Sequence, residues 1–533
     1  MPTEQYYKAL QSYDINLAPL ESSVFNDAKS NIKYLEASIL GLPTVASDVA
    51  EYHSSIIQGM TGFIAQDTAS WIDKLEQLIE DKNLRENIAK NAYDAVIKDY
   101  SLHSIAHKSM QPLLDTYIQK PASNTKHILM ANVLYKPISF GGATIVIEEL
   151  STRINQKEGY DVTVFTGFFD EHYDLPRPYD IVRYEVNEVS VILLRFPFPL
   201  SKTQDYRNEQ IQTVFDEILL SLEPDLVHFH SIQQLSASIA KPCITHNIPY
   251  VITLHDMWWL CEKQFMIKPD NTYCYQSKID TNYCITQCTH NQEATQERTK
   301  YLKAILDDAS LLLTPSTFQA QMYGYNIADT RKIKVNKNAI IFPSSSYSKQ
   351  ANQNIRFAYL GGHAVHKGYD MIKEIFESLE TSNYELIVVD LHRKLGHNSI
   401  IESDWNLQGK LTLSDGYHYS QKGLDDFFAS IDVLLFPSQW KESFGLTIRE
   451  ALVRDVWVIS TDAGGVVEDI VEGENGNILA IGDNEGYKNI IEDAIKNNAK
   501  FNKYENPHKN NIRAYDAQVE ELLGYYDEVW TSK

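Results

Sequence analysis

From Lys126 onward, short β-rich apolar runs alternate with longer amphipathic stretches, and this rhythm constrains the fold more than any other feature of the chain. Such alternation is the pattern of βα units building parallel sheets. HILMANV, DVTVFTG, DLVHFH, YVITLH and SLLLTPS read as successive strands. Their ends carry Gly, His, Asp and Ser, the residue types found where strands of an open α/β sheet hand over to ligand-binding loops. At residues 344–354 the periodicity stops in SSSYSKQANQN, which reads as a hinge. A second series follows, with strands IRFAYLG, YELIVVDL, IDVLLFPS and VWVIST and helices MIKEIFESLE and LTIREALV. It predicts a second doubly wound sheet, and DAQVEELLGYYDEVW predicts a closing helix.

The beginning of the chain repeats its end. YDINLAPLESS, IKYLEASILGLPTVASDVAEY and IIQGMTGFIAQD follow the order of IDVLLFPSQWK, TIREALVRDVWVISTDAGG and IVEGENGNILAIGD. With Glu36 set against Glu450, most apolar positions coincide. Three domains are therefore expected: an orphan half-lobe over 1–120, a front lobe over 125–343 and a rear lobe with the closing helix over 344–533.

The 533 residues are too many for one hydrophobic core. A net charge of −23 repels nucleic acid and anionic bilayers alike. No apolar run approaches the roughly 18 residues of a membrane span, and MPTEQYYKAL lacks a secretion signal, so a cytoplasmic address is expected. Five cysteines do not make a secreted disulfide framework. Four of them, Cys261, Cys274, Cys284 and Cys288, cluster. Four thiols can hold a tetrahedral zinc, although only Cys284 and Cys288 approach the usual short spacing; the alternative is a set of buried or free thiols in a flap.

The sharpest chemical signal is KESFGLTIREAL, where seven residues separate Glu442 from Glu450 around Phe444, Gly445 and Leu446. A loop through Ser443 to Gly445 that opens a helix at Leu446 would turn backbone N–H groups toward a diphosphate, leaving both carboxylates for sugar hydroxyls. In this setting the pair resembles the E-x7-E motif of family 4 retaining glycosyltransferases. PISFGGA (137–143), LHDMWW (254–259), YLGGHAVHKGYD (359–370) and TDAGGVVEDI (461–470) agree in order and spacing. The resemblance covers Lys126 to about Trp530 and implies two Rossmann-like domains in the GT-B arrangement, with an additional Rossmann-like half in front.

The resemblance implies roles for individual residues. Glu450 would take the ribose hydroxyls, Glu442 a hydroxyl of the donor sugar, and Lys367 the charge of the leaving diphosphate. His255 would stand beside sugar and acceptor, and Gly141 and Gly142 would open the first loop to the phosphates. The family commonly has an arginine where this chain has Gly362, and His363 or His366 is the candidate replacement. His228 and His230 alternate on one strand and read as packed, hydrogen-bonded residues. No metal is required for catalysis, and the donor is a nucleotide-diphosphate sugar. The acceptor is a saccharide, lipid-linked or protein hydroxyl, with the inner membrane face or a synthase complex as a possible place of work. The rival readings are a nucleotide-sugar epimerase on the same fold and a decayed scaffold. In the front copy Ala28 stands where Glu442 would be, so that copy is not expected to catalyse by itself.

Overall fold

In the computed structural model, residues 3–21, 23–105, 125–170, 179–197, 199–350, 352–390, 392–393 and 398–531 are described. The chain divides into two compact units, Met1–Lys120 and Pro121–Lys533. The expected boundary at 120–125 falls mostly on residues outside the described ones.

The first unit is built on a parallel sheet of β1 (Asn16–Ala18), β2 (Thr44–Ser47) and β3 (Phe63–Ala65), in that order. Tyr34, Val49, Tyr52, Ile56, Ala92 and Val96 pack on it from helices Ile32–Ile39 and Lys82–Tyr100 and from the segment between.

The second unit carries two sheets. The front one has the order β11-β10-β9-β8-β4-β5-β7-β6. Its strands are β4 (Lys126–Ala131), β5 (Tyr160–Asp170), β6 (Ile181–Val186), β7 (Val189–Pro197), β8 (Leu226–Phe229), β9 (Tyr250–Thr253), β10 (Leu311–Thr314) and β11 (Ile333–Val335). Every residue of β8, β9 and β10 is buried, as expected of central parallel strands covered on both faces. The β6–β7 hairpin is antiparallel and interrupts the expected βα rhythm. Its turn uses Asn187 and Glu188, both at positive φ. The usual Asn-Gly signal is absent, which is why the hairpin is hidden in the sequence.

The rear sheet is wholly parallel, in the order β14-β13-β12-β15-β16-β17. Its strands are β12 (Ile355–Tyr359), β13 (Tyr384–Val389), β14 (Lys410–Ser414), β15 (Val433–Phe436), β16 (Trp457–Thr461) and β17 (Gly476–Leu479). The half formed by β15, β16 and β17 has the same strand order as β1, β2 and β3, so the repeat read in the sequence is a repeat of structure.

The stretch expected as a hinge between the lobes is hydrogen-bonded to the rear lobe: the Tyr347 hydroxyl donates to the Arg454 carbonyl at 2.6 Å, and Lys349 to that of Asp455 at 2.8 Å. The closing helix, Tyr515–Thr531, follows the rear lobe in sequence but completes the front lobe's core. There Val519, Leu522, Tyr526 and Val529 pack with Ile128, Met130, Val162 and Val251. Its apolar spacing serves a sheet that lies far back along the chain, a long-range contact that periodicity cannot reveal. Leu522→Ala is therefore expected to cost about 2–5 kcal/mol by leaving a cavity under the front sheet, read as a lowered urea midpoint for the second unit.

Candidate functional site

The rear-lobe loops bring the charged residues together. Lys367 ends a short 3-10 turn, Val365–Lys367, and Gly368 at φ +83 turns the chain into the next helix. A Cβ at Gly368 would stand 2.2 Å from the Pro437 carbonyl oxygen, so only glycine lets these two loops touch. The contact places Lys367 Nζ 2.8 Å from Glu442 Oε1, which also accepts from Ser438 Oγ at 2.7 Å. The Lys367 ammonium lies 4.9 Å from the centroid of the Trp440 ring, a residue the sequence reading missed. Trp440 is 8% exposed, and its indole N–H has no partner among the described residues. His366 packs edge-on to Trp440, and burial lowers its pKa, so it is a poor substitute for a permanent cation. His363 packs against Tyr369, while Gly362 at φ +62 has open space around it.

Glu450 is 1% exposed on helix Leu446–Leu452. Its Oε2 accepts from the Tyr417 hydroxyl at 2.9 Å, and Oε1 has no partner among the described residues. Burial raises its pKa, opposed by nearby tyrosine hydroxyls and Arg454. A buried carboxylate oxygen with no donor is what a ribose hydroxyl would satisfy. The helix has only seven residues, so its dipole is small beside the full charge of Lys367.

Loop 443–445 is held from behind. Arg449, 1% exposed, donates to Asp469 Oδ2 at 2.6 Å and to the carbonyls of Phe444, Gly465 (2.8 Å) and Val466 (3.1 Å). Its guanidinium covers the Phe444 ring, which takes that side chain into the loop's own packing. Gly445 has φ +81, and a Cβ there would meet Val466 Cγ1 at 2.7 Å.

The front lobe reaches this loop at several points. Ser316 Oγ donates to the Ser443 carbonyl, and the Phe318 amide donates to Glu468 Oε1 at 2.7 Å. Lys337 Nζ lies 2.7 Å from Asp469. A Cβ on Gly142 would stand 3.3 Å from Leu446, so the first loop touches the start of the rear-lobe helix. Gly141, at φ +85, caps helix Gly142–Asn155. The flap residue Phe265 packs against Trp440 with ring centroids 5.0 Å apart.

His255 follows β9. The carbonyl of its neighbour Asp256 accepts from Gln319 and Tyr323, on the helix that Ser316 caps. The loop bearing His255 and loop 443–445 thus share one support. His255 Nε2 is 2.9 Å from His230 Nδ1. His228 bonds Tyr526 at 2.6 Å and Thr253 at 2.7 Å, in keeping with a packed role. Burial lowers His228 to about 3 and His255 to about 4, with a small further push on His228 from His255.

The zinc expectation is not supported. Cys261, Cys274, Cys284 and Cys288 do line one cavity of about 30 Å³. Burial pushes Cys261 up to about 11 and Cys284 up to about 12, as for protonated thiols. Among the described residues no group of three or more His, Cys, Asp or Glu side chains is arranged to hold a metal ion. Among them, too, no helix is long and apolar enough to cross a membrane.

Comparison with known proteins bears on the family and the fold. Residues 140–340 match the model "Glycosyltransferase Family 4", residues 345–514 "Glycosyl transferases group 1", and residues 1–111 "Glycosyl transferase-like". The capsular polysaccharide biosynthesis glycosyltransferase CapM of Staphylococcus aureus is 28% identical over 151 residues, 28% of this chain and 39% of CapM. An uncharacterized 42.6 kDa protein in the cps region of Klebsiella pneumoniae is 21% identical over 359 residues, 64% of this chain and 87% of the relative. The sucrose-phosphate synthase of Thermosynechococcus elongatus shares the fold with a TM-score of 0.54 at 14% identity, over 76% of this chain and all of that one. Anabaena HepE, solved in complex with UDP and glucose, has a TM-score of 0.51 at 15% identity over the same shares.

Two predictions follow from the packing. Gly445→Ala should weaken nucleotide-sugar binding by about tenfold or more, measured by calorimetry, because both the positive φ and Val466 oppose a side chain. His228 binds its proton far less readily folded than unfolded. Its contribution to stability is thus complete above about pH 6.5 and is lost as pH falls toward about 3. The urea midpoint should accordingly fall between pH 7 and 4 more steeply in the native protein than in His228→Gln.

With a family 4 segment in the front lobe and a group 1 segment in the rear lobe, the chain is a glycosyltransferase of the GT-B, family 4 type, preceded by a further glycosyltransferase-like segment.

Proposed function

We propose that this glycosyltransferase moves a sugar, with retention of anomeric configuration, from a nucleoside-diphosphate sugar to an acceptor hydroxyl during assembly of a capsular or related surface polysaccharide. The observation that carries the reading is the Lys367–Glu442 pair, 2.8 Å apart beneath the closed lobes. A cation already neutralised by a carboxylate can exchange that partner for a diphosphate, freeing the carboxylate for a sugar hydroxyl. The polysaccharide assignment draws on CapM and the cps-region relative, and the choice of a nucleotide sugar on the UDP and glucose bound to HepE.

In the reaction the bond from the anomeric carbon to the diphosphate oxygen breaks. The acceptor oxygen bonds to that carbon from the same face, and its proton passes to the departing phosphate oxygen. Lys367 and the free indole N–H of Trp440 stabilise the charge that develops on the leaving group. Glu442 orients the sugar and Glu450 the ribose. The lobe contacts through Ser316, Phe318 and Lys337 keep water out of the cleft.

Release of nucleoside diphosphate from UDP-glucose, or from another nucleotide sugar chosen by thermal shift, should require an acceptor saccharide. Lys367→Ala should lower kcat by about 10²–10³, the scale of a lost charge-stabilising donor. Turnover of the donor without acceptor would favour an epimerase, and full polysaccharide assembly by cells carrying Lys367→Ala would favour a scaffold.

A further inference from the structure

His230 is 1% exposed and follows β8, with its backbone N–H on the Ala131 carbonyl at 2.9 Å. Its ring stacks on His255 at 5.2 Å with an interplanar angle of 25°, and a single N···N contact of 2.9 Å joins them. One ring must donate and the other accept. The arrangement allows two states of the neutral pair, and they differ at His230 Nε2, which is buried without a partner among the described residues.

If His255 donates from Nε2, His230 accepts at Nδ1 and must carry its own proton on Nε2. That puts an N–H donor in the buried, partnerless position. His228 cannot relieve it, although the rings lie 4.2 Å apart, because both His228 nitrogens are taken by Tyr526 and Thr253. If instead His230 donates from Nδ1, its Nε2 is a bare lone pair. Among backbone groups orphaned N–H donors are rarer than under-satisfied carbonyls, and we carry that preference over to the ring. The second state therefore dominates, and it leaves His255 with its single proton on Nδ1. The bond to His230 is on the other nitrogen, and His255 as a residue keeps some exposure to solvent.

We propose that His230 is a positioning residue that holds His255 as its Nδ1–H tautomer, so that His255 meets the sugar or its acceptor as a hydrogen-bond donor and not as a base. The inference rests on the reading of the cleft as a glycosyl-transfer site, and it deepens that reading. A same-face substitution passes the acceptor proton to the leaving phosphate, so a donor at His255 is useful there and a base is not.

The direct test uses the full chain with ¹⁵N-labelled histidine and long-range ¹H–¹⁵N correlation spectra, with His255 assigned by its loss in His255→Asn. The expected result is His255 protonated at Nδ1; protonation at Nε2 overturns the proposal. Kinetics supply the second readout. His230→Phe removes the donor and should lower kcat about tenfold while the KM for nucleotide sugar changes about threefold or less. His230→Asn places an amide nitrogen near Nδ1 and should recover most of the loss. Equal kcat in His230→Phe and the native protein, with both folded by thermal melting, also overturns it. An Nδ1–H tautomer in a protein that transfers no sugar would instead reject the glycosyl-transfer reading and leave the ring pairing intact.

Discussion

The Arg449 guanidinium is the constraint on which loop 443–445 depends. It is shut away from water, and a charge so placed must be met by acceptors on nearly every side. Those acceptors are the carbonyls of Phe444, Gly465 and Val466 and the carboxylate of Asp469. Two loops that are remote from one another in sequence are thereby held at one separation. Gly464 and Gly465 permit the approach, since a Cβ at Gly465 would stand 2.0 Å from the Ser443 carbonyl oxygen. Burial works to raise the pKa of Asp469, but Arg449 and Lys337 outweigh it and the net shift is downward. Because Lys337 belongs to the front lobe, the same carboxylate ties loop 443–445 to the contact between the lobes.

Closure in turn defines the electrostatics of the cleft. Trp440, with Phe265 packed against it, supplies an apolar wall beside the Lys367–Glu442 pair, where an unmatched charge would be costly. The pair spares the empty cleft that cost. Its price is that donor binding must break a 2.8 Å contact, which favours ligands bringing their own negative charge and hydroxyls. Burial holds the pKa of His228, His230 and His255 down, so these histidines stay neutral and the permanent positive charge beside Glu442 is that of Lys367.

Much of this was legible in the sequence because parallel βα architecture leaves a local trace. The buried strands around Val227, Ile252 and Leu312 are short apolar runs, and Gly368 and Gly445 mark loops that no side chain could replace. Glu442 and Lys367 were singled out by their order along the chain, and the structure places them 2.8 Å apart. The supporting residues were not. Tyr417 lies 33 positions from Glu450 and Ser316 lies 127 from Ser443, and neither distance leaves a periodic signal. Trp440 reads as one more apolar residue until its free N–H is seen beside Lys367. The cysteines misled in the opposite sense: four thiols near one another in sequence do share a cavity, but sharing a cavity does not supply tetrahedral geometry.

The front half-copy separates what the fold needs from what the chemistry needs. Glu36, the counterpart of Glu450, also accepts from tyrosine, with the hydroxyls of Tyr6 and Tyr7 at 3.2 and 3.0 Å. Those tyrosines come from helix Thr3–Leu10, whereas Tyr417 comes from the loop after β14, so different elements meet the same demand. A carboxylate at this point of the helix is thus matched by tyrosine in both units. Ala28, in place of Glu442, removes the second carboxylate, and with it the partner that a phosphate-binding lysine would have in an empty cleft. A Glu on this helix is therefore compatible with structure alone. The feature that sets the second unit apart is the Lys367–Glu442 ion pair, for which the first unit has an alanine at the position of Glu442.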